Sequence, residues 1–467
     1  MELTLLKKAL DQVWDIIEKS EGHENSLTLQ TNEPNLVKEK LKKTLPVDHE
    51  NFSKILADFE EQILPFLNHN TSPNFGAYIT GSGNKVGAIA EFIKAFYNQN
   101  GLKWNNSPIA SELEQLVIKW VADFCLIPTH AKGVLTSGGS MSNLMAIHFA
   151  LAAKYPDREM HGIGALPKLT IYCSDQTHSS VDRAMVFLGL GRNGLRKIPV
   201  NDQFEIDTEN LTETIEIDLS NGFKPFMIVG NAGTTNTGSI DDLESLATIA
   251  KRFDMWYHVD GAYGLPAIRI NELKDAFKGI DQADSVIINP HKWMYVPFEA
   301  SCVLLKEIPQ AIHFSPDYLF TENPGERWES SNHTIELSKE FRALKIWFTM
   351  KYFGVQQLTG FVEQDIEMVS YLANRLSREE NIMIEPSHPL SILCLRYLNP
   401  VFEESRNEEI NIQAVRAIES DGRIFITGTK LRGKTYLRVY FGNPDRTEKD
   451  VDYMVEVISE IFQKITL

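Results

Sequence analysis

Between about residue 130 and residue 305, short apolar runs alternate with stretches of helical periodicity, and few folds accommodate that pattern. The apolar runs predict strands over Gly133–Thr136, Leu169–Cys173, Phe226–Gly230, Trp256–Asp260, Ser285–Ile288 and Cys302–Leu305. Between them, Met141–Lys154, Ser180–Leu188 and Asp242–Phe253 read as helices. Strands this apolar must be buried on both faces, which points to an α/β domain with a mostly parallel sheet covered by helices on each side. In such sheets ligands bind beyond the carboxyl ends of the strands, so chemistry is expected in the residues that follow each strand.

The flanks read differently. Leu6, Leu10, Val13, Trp14 and Ile17 recur at helical spacing, and a polar stretch from Ser20 to Asn32 reads as a linker. A second helix is expected from near Asp48 to before Asn68. These helices have little core of their own, so they must pack on the rest of the chain or on a second subunit. After a helix over Lys345–Phe353, strand-like runs at Ser391–Tyr397 and Thr435–Phe441 predict a smaller α+β unit. The expected division is 1–85 (helical segment), 86–345 (large α/β domain) and 346–467 (small α+β domain).

A net charge of −17 argues against nucleic acid or an anionic membrane as a partner. The four cysteines show no metal-ligand spacing, so no metal site and no disulfide framework is expected. The absence of a secretory signal and of a long apolar span favours a cytoplasmic setting.

The strand ends hold a series of chemically capable residues. Ser137-Gly138-Gly139-Ser140 precedes a helix, and is either a phosphate cradle or an ordinary cap. His178 follows the next strand and either faces a flat ligand or lies on the surface. Asn231 lies in a small polar turn, Gly230-Asn231-Ala232-Gly233-Thr234-Thr235, that lines a site or merely connects strand to helix. Asp260, followed by Gly261-Ala262, needs a cationic partner: a protonated pyridine nitrogen, or a structural salt bridge. Lys292 follows the apolar run Ile287-Ile288 through Asn289-Pro290-His291 and is either an exposed surface lysine or a buried one, and burial there would lower its pKa and suit a Schiff-base amine. Together these are the parts a pyridoxal-phosphate site requires.

In these motifs the sequence resembles the group II pyridoxal-dependent decarboxylases, relatives of aromatic-L-amino-acid and glutamate decarboxylases. The segment Asn289-Pro290-His291-Lys292-Trp293 resembles the family's lysine motif, Asp175-Gln176-Thr177-His178 its stacking-histidine segment, and His258-Val259-Asp260-Gly261-Ala262-Tyr263 its aspartate motif. Ser107-Pro108 with Glu112-Leu113-Glu114, and Thr136-Ser137-Gly138-Gly139-Ser140, are similar to two further family segments. The resemblance implies fold type I, pyridoxal 5'-phosphate as cofactor, an amino-acid substrate, and a homodimer with active sites at the subunit interface. It implies that Lys292 carries the cofactor, Asp260 pairs with its ring nitrogen and His178 stacks on the ring. Gly139, Ser140 and Asn289 would hold the phosphate, with Asn231, Ala262 and His291 nearby. The expected reaction releases CO2 and an amine.

Two departures bear on that expectation. Gly230-Asn231 stands where many relatives carry Ala-Thr. More seriously, the loop tyrosine that protonates the substrate carbon in the aromatic amino-acid decarboxylases is missing. Its place falls near Ser330, and Glu322 to Lys339 offers Trp328, Ser330, Ser331 and His333 instead. His333 is then a candidate proton donor, and an aldehyde synthase is the closest rival activity. An aminotransferase using Arg438 as a carboxylate clamp, a retro-aldol lyase and a non-catalytic scaffold are the remaining alternatives. Tyr78, Leu102 and Trp104 either line a substrate pocket or pack in the core or an interface.

Overall fold

The computed structural model describes residues 3–21, 27–30, 34–41, 44–309, 327–385 and 390–467. Among the described residues, twelve strands form two sheets. They are β1 (Phe75–Gly76), β2 (Lys132–Thr136), β3 (Leu169–Ser174), β4 (Leu195–Ile198), β5 (Lys224–Asn231) and β6 (Trp256–Asp260). The chain continues through β7 (Ser285–Ile288), β8 (Ser301–Leu305), β9 (Ile382–Ile384), β10 (Ile392–Tyr397), β11 (Phe425–Leu431) and β12 (Lys434–Tyr440). The large sheet has the order β2-β8-β7-β6-β5-β3-β4. Only β8 runs against its neighbours, so the expected mostly parallel sheet is the one the chain forms.

Side-chain alternation explains why this sheet needs cover on both faces. Leu135, Tyr172, Ile228 and Val286 point into one apolar core, shared with Val117 and Ile118 of helix Pro108–Phe124 and Leu243 and Leu246 of helix Leu243–Arg252. Their strand neighbours Val134, Ile171, Val229 and Ile287 point into the other, against Ala146, Ile147 and Ala150 of helix Gly139–Lys154. The sequence pattern did not mark helix Pro108–Phe124, or strand β4 at the sheet edge.

The smaller sheet, β1-β11-β12-β10-β9, is antiparallel except where β1 pairs with β11. Helices Glu404–Asp421 and Glu448–Thr466 cover it over a third core. The expected boundary at residue 345 falls in the first turn of helix Ala343–Leu376, which is interrupted at Gly354, with φ +69°. The stretch read as a linker is partly docked: Thr28 and Leu29 are buried, and the Leu29 N–H donates to the Gly422 carbonyl at 3.1 Å. Its residues 22–26 and 31–32 lie outside the described residues. Among the described residues, no helix is long and apolar enough to cross a membrane.

Candidate active site

Strands β2, β3, β5, β6 and β7 all point the same way, so the residues after them meet over one cavity of about 380 Å³. Gly139, Ser140, His178, Asn231, Asp260, Ala262, Asn289, His291 and Lys292 all line it.

At one end, helix Gly139–Lys154 opens directly from the β2 turn, with no acidic residue in its first turn. Its free N–H groups and dipole favour an anion. A hydroxyl chain stiffens the turn: Thr136 Oγ1 and Ser142 Oγ are 2.7 Å apart, and Ser142 Oγ and Ser301 Oγ 2.6 Å. Ser301 Oγ donates to Asn289 Oδ1 at 2.7 Å, which commits the amide oxygen and turns Nδ2 towards Gly139. A Cβ on Gly139 would lie 2.9 Å from Asn289 Nδ2, so a larger residue would close this corner.

At the other end stands Asp260. Its Oδ2 accepts from Asn143 Nδ2 at 2.8 Å and its Oδ1 from the Ala262 N–H at 3.1 Å, so the carboxylate cannot rotate freely. Asn143 also donates to Ser180 Oγ at 2.7 Å, and Ser180 Oγ lies 2.8 Å from His178 Nδ1. Beneath them His258 Nε2 sits 2.9 Å from Asn143 Oδ1. Asn143, Ser180 and His258 are absent from the sequence-derived set. A signal existed: Asn143 lies one helical turn past Ser140, and His258 shares a strand face with Asp260 by the two-residue period.

Lys292 projects between these ends. Among the described residues, its Nζ has no hydrogen-bond partner. Burial lowers its pKa from the ordinary lysine value, with Asp260 pulling the other way. Its main chain is pinned: a Cβ on Gly81 would lie 2.1 Å from the Lys292 carbonyl oxygen, so only glycine lets the two backbones touch. The next residues are tied to the long helix, with Trp293 Nε1 and Tyr295 Oη donating to buried Asp365 at 2.9 and 2.7 Å. His291 accepts from the Ala300 N–H through Nδ1 at 3.0 Å, and burial, reinforced by Lys292, pushes its pKa down to about 3. It is a neutral ring at physiological pH.

Asn231 lines the cavity, but its amide nitrogen is turned to Thr177 at 2.9 Å, Asp241 at 2.8 Å and Ser174 at 3.2 Å. Tyr78, Leu102 and Trp104 do not line the cavity; Trp104 Nε1 donates to Glu112 and its ring carries Arg327. Arg438 does not line it either, and donates to the Thr235 carbonyl and Thr427 Oγ1. In the loop that lacks the tyrosine, residues 322–326 lie outside the described residues. Ser330 is buried and accepts from Lys339 Nζ at 3.0 Å. His333 stacks on Trp328 at 4.4 Å, and burial pushes its pKa down to about 4.

Pyridoxal 5'-phosphate requires an anion cradle, a carboxylate for its ring nitrogen, a flat neighbour and an unengaged amine for its aldehyde. The glycine corner, the held Asp260 carboxylate, the His178 ring and the unpartnered Lys292 amine supply that donor set, so the residues present fit the group.

The chain matches the family model described as the pyridoxal-dependent decarboxylase conserved domain over residues 34–398. It is 29% identical over 448 residues to tryptophan decarboxylase 2 of Oryza sativa subsp. japonica, covering 93% of this chain and 89% of that protein. It is 30% identical over 452 residues to phenylacetaldehyde synthase of a Rosa hybrid cultivar, covering 93% and 89%. The crystal structure of Catharanthus roseus tryptophan decarboxylase in complex with L-tryptophan superposes with a TM-score of 0.91 at 27% identity, over 100% of this chain and 99% of that one.

Proposed function

The chain belongs to the pyridoxal-dependent decarboxylase family, and from that premise we propose that Lys292, Asp260 and His178 form the catalytic centre of an amino-acid decarboxylase whose substrate carries an aromatic side chain. The family membership makes it a carboxy-lyase acting on an amino acid with pyridoxal 5'-phosphate as cofactor. The observation that carries the reading is the pairing across one cavity of an unpartnered lysine amine with a carboxylate held at both oxygens. The aromatic substrate is supported by the relatives that act on tryptophan and tyrosine. It is also supported by the lining, where Lys292 is the only cation among the described residues.

Gly139, Ser140 and Asn289 would hold the phosphate, and Lys292 the aldehyde end. When bound, the cofactor supplies a conjugated ring that takes up the electron pair left as CO2 departs. Asp260, held by Asn143 and the Ala262 N–H, would pair with the ring nitrogen. His178 would flank the ring, and the lowered pKa of Lys292 favours the neutral amine needed for attachment. Asn231 and His291 act from behind, Asn231 through Thr177 and His291 as an uncharged neighbour of Asn289, with nitrogens 3.5 Å apart.

One observation favours a second reading, an aldehyde synthase. Ser330, near the expected place of the loop tyrosine, is a buried serine tied to Lys339, and one of the relatives is a phenylacetaldehyde synthase. A panel of L-amino acids offered to the holoenzyme, with CO2, amine, aldehyde, ammonia and peroxide measured together, separates the two. Amine equal to CO2 supports the decarboxylase. Aldehyde, ammonia and peroxide in step with CO2 and consumed oxygen support the synthase. No CO2 from any aromatic amino acid sinks the proposed substrate class.

The same reading includes a homodimer. Leu3 and Trp14 of helix Leu3–Glu21, Ile55 of helix Phe52–Gln62, and Ile89, Phe92 and Phe96 of helix Lys85–Tyr97 are exposed apolar side chains on neighbouring N-terminal helices. A second copy is the occupant that would cover them. Light scattering on the purified protein should give twice the chain mass. The four free, buried cysteines suit a reducing, cytoplasmic setting.

A further inference from the structure

The polar side chains beneath the cavity form one hydrogen-bonded chain whose two ends have fixed character. At one end Trp256 Nε1, which can only donate, reaches Ser285 Oγ at 2.9 Å. Ser285 Oγ lies 2.8 Å from His258 Nδ1, and His258 Nε2 lies 2.9 Å from Asn143 Oδ1. At the other end Asp260, as a carboxylate, can only accept, so it must receive an N–H of Asn143. That bond sets which way the amide faces. Its oxygen then accepts from His258 Nε2–H, and its second N–H goes to Ser180 Oγ. Burial pushes the His258 pKa down to about 4, so this ring is neutral; with its proton on Nε2, its bare Nδ1 accepts from the Ser285 hydroxyl at 2.8 Å, the nearer of its two Ser285 neighbours, the carbonyl oxygen lying at 3.2 Å. The Ser180 backbone N–H can only donate and points at His178 Nδ1 at 3.3 Å, so that nitrogen is bare, and the Ser180 hydroxyl, which accepts from Asn143 on one of its two lone pairs, turns its proton to the same nitrogen at 2.8 Å.

We propose that Asn143 is a positioning residue that joins Asp260 to His178, and that through Ser180 it holds the His178 proton on Nε2, the nitrogen left for the cavity. Among the described residues, that nitrogen has no protein partner. A neutral His178 thus presents a donor, not a lone pair, beside the bound amino acid. The titratable groups facing this frame are Lys292, Arg183 and Lys197 around His178, and His258 beneath Asp260. The rate effect rests on the proposed role of the cavity, whereas the proton position does not.

The test is nitrogen-15 NMR of histidine-labelled holoenzyme, with the His178 signals identified by their loss in His178→Asn. It is run beside a pH titration of the holoenzyme's visible absorbance. The wild type should show a bare, hydrogen-bonded Nδ1 and a protonated Nε2. Asn143→Leu should move His178 towards mixed tautomers, shift the absorbance titration because Asp260 loses a donor, and lower kcat about ten- to a hundredfold with little change in KM. Ser180→Ala keeps the Asn143–Asp260 bond, so it should move the His178 signals and leave the absorbance titration at its wild-type position. This variant also decides the matter if Asn143→Leu does not fold. A wild-type proton on Nδ1 overturns the proposal. So does a folded Asn143→Leu with both readouts unchanged, or a Ser180→Ala with unmoved His178 signals. A wild-type enzyme with the expected tautomer that releases no CO2 from any amino acid would instead defeat the proposed function.

Discussion

The floor of the cavity and the segment 327–342 are both rich in buried polar side chains, yet they satisfy them differently. Beneath the cavity, Asn143, Ser180, His258, Asp260 and Ser285 each have partners within the chain. In the segment, Lys339 is paired with Glu114 at 2.6 Å and Arg342 with Glu336 at 2.9 Å. The Trp328 indole nitrogen, Glu329 Oε1 and His333 Nδ1, however, are buried with no partner among the described residues. A complete network over-determines the positions of its members, which is what a preorganised site needs.

Lys292→Ala should give the largest effect. CO2 release should fall at least about a thousandfold, while the thermal midpoint moves little because Nζ makes no hydrogen bond to lose. Parallel CO2 and melting measurements check this; a large loss of stability would show that Lys292 is part of the satisfied floor rather than its free end. Lys339→Met should act in the opposite sense. It leaves the Glu114 carboxylate buried beside an apolar side chain and should cost about 3–5 kcal/mol in denaturant unfolding, with Lys292 and its cavity untouched.

Acid should loosen the floor through His258. The fold holds His258 neutral, with a pKa near 4, whereas an unfolded chain takes up the proton near 6.5. The unfolded state therefore binds more protons below that value. The stability contribution is full above pH 6.5 and is lost as the pH falls to about 4. Denaturation curves at pH 7 and pH 4 should show this loss, and His258→Gln should reduce it. His333→Gln should give the smallest effect. A ring stacked on Trp328 with a pKa near 4 is neutral at pH 7, so it lacks the imidazolium proton that a general acid would give. The CO2 rate and the amine-to-aldehyde ratio should therefore change by less than about twofold. A larger change in that ratio would restore His333 as a proton donor.

The residues legible in the sequence are those at strand ends. A parallel sheet brings strand ends together whatever the rest of the chain does, so Gly139, His178, Asp260 and Lys292 could be gathered without knowing a single contact. The residues that hold them are not legible in this way. Asn143 reads as one polar position in an apolar helix, and Ser285 as the start of a strand. Asn143 meets Asp260 because helix Gly139–Lys154 packs across β6 and β7, and Ser285 meets His258 because those two strands pair with the two residues in register. Asn231 shows the reverse case: its position at a strand end is legible, but the direction of its amide nitrogen depends on Asp241, ten residues on.

Local sequence determined the strand-helix alternation, and with it the edge on which the chemistry collects, because side-chain period and backbone direction are properties of the chain itself. It also determined the family, through motifs short enough to read along the chain. Tertiary structure alone decided which donors face which acceptors. Hydrogen-bond direction depends on the partner a group meets across the core, and that partner comes from another strand or helix. Only the packed molecule shows Lys292 as the amine left unpaired, and Asp260 as the carboxylate held still opposite it.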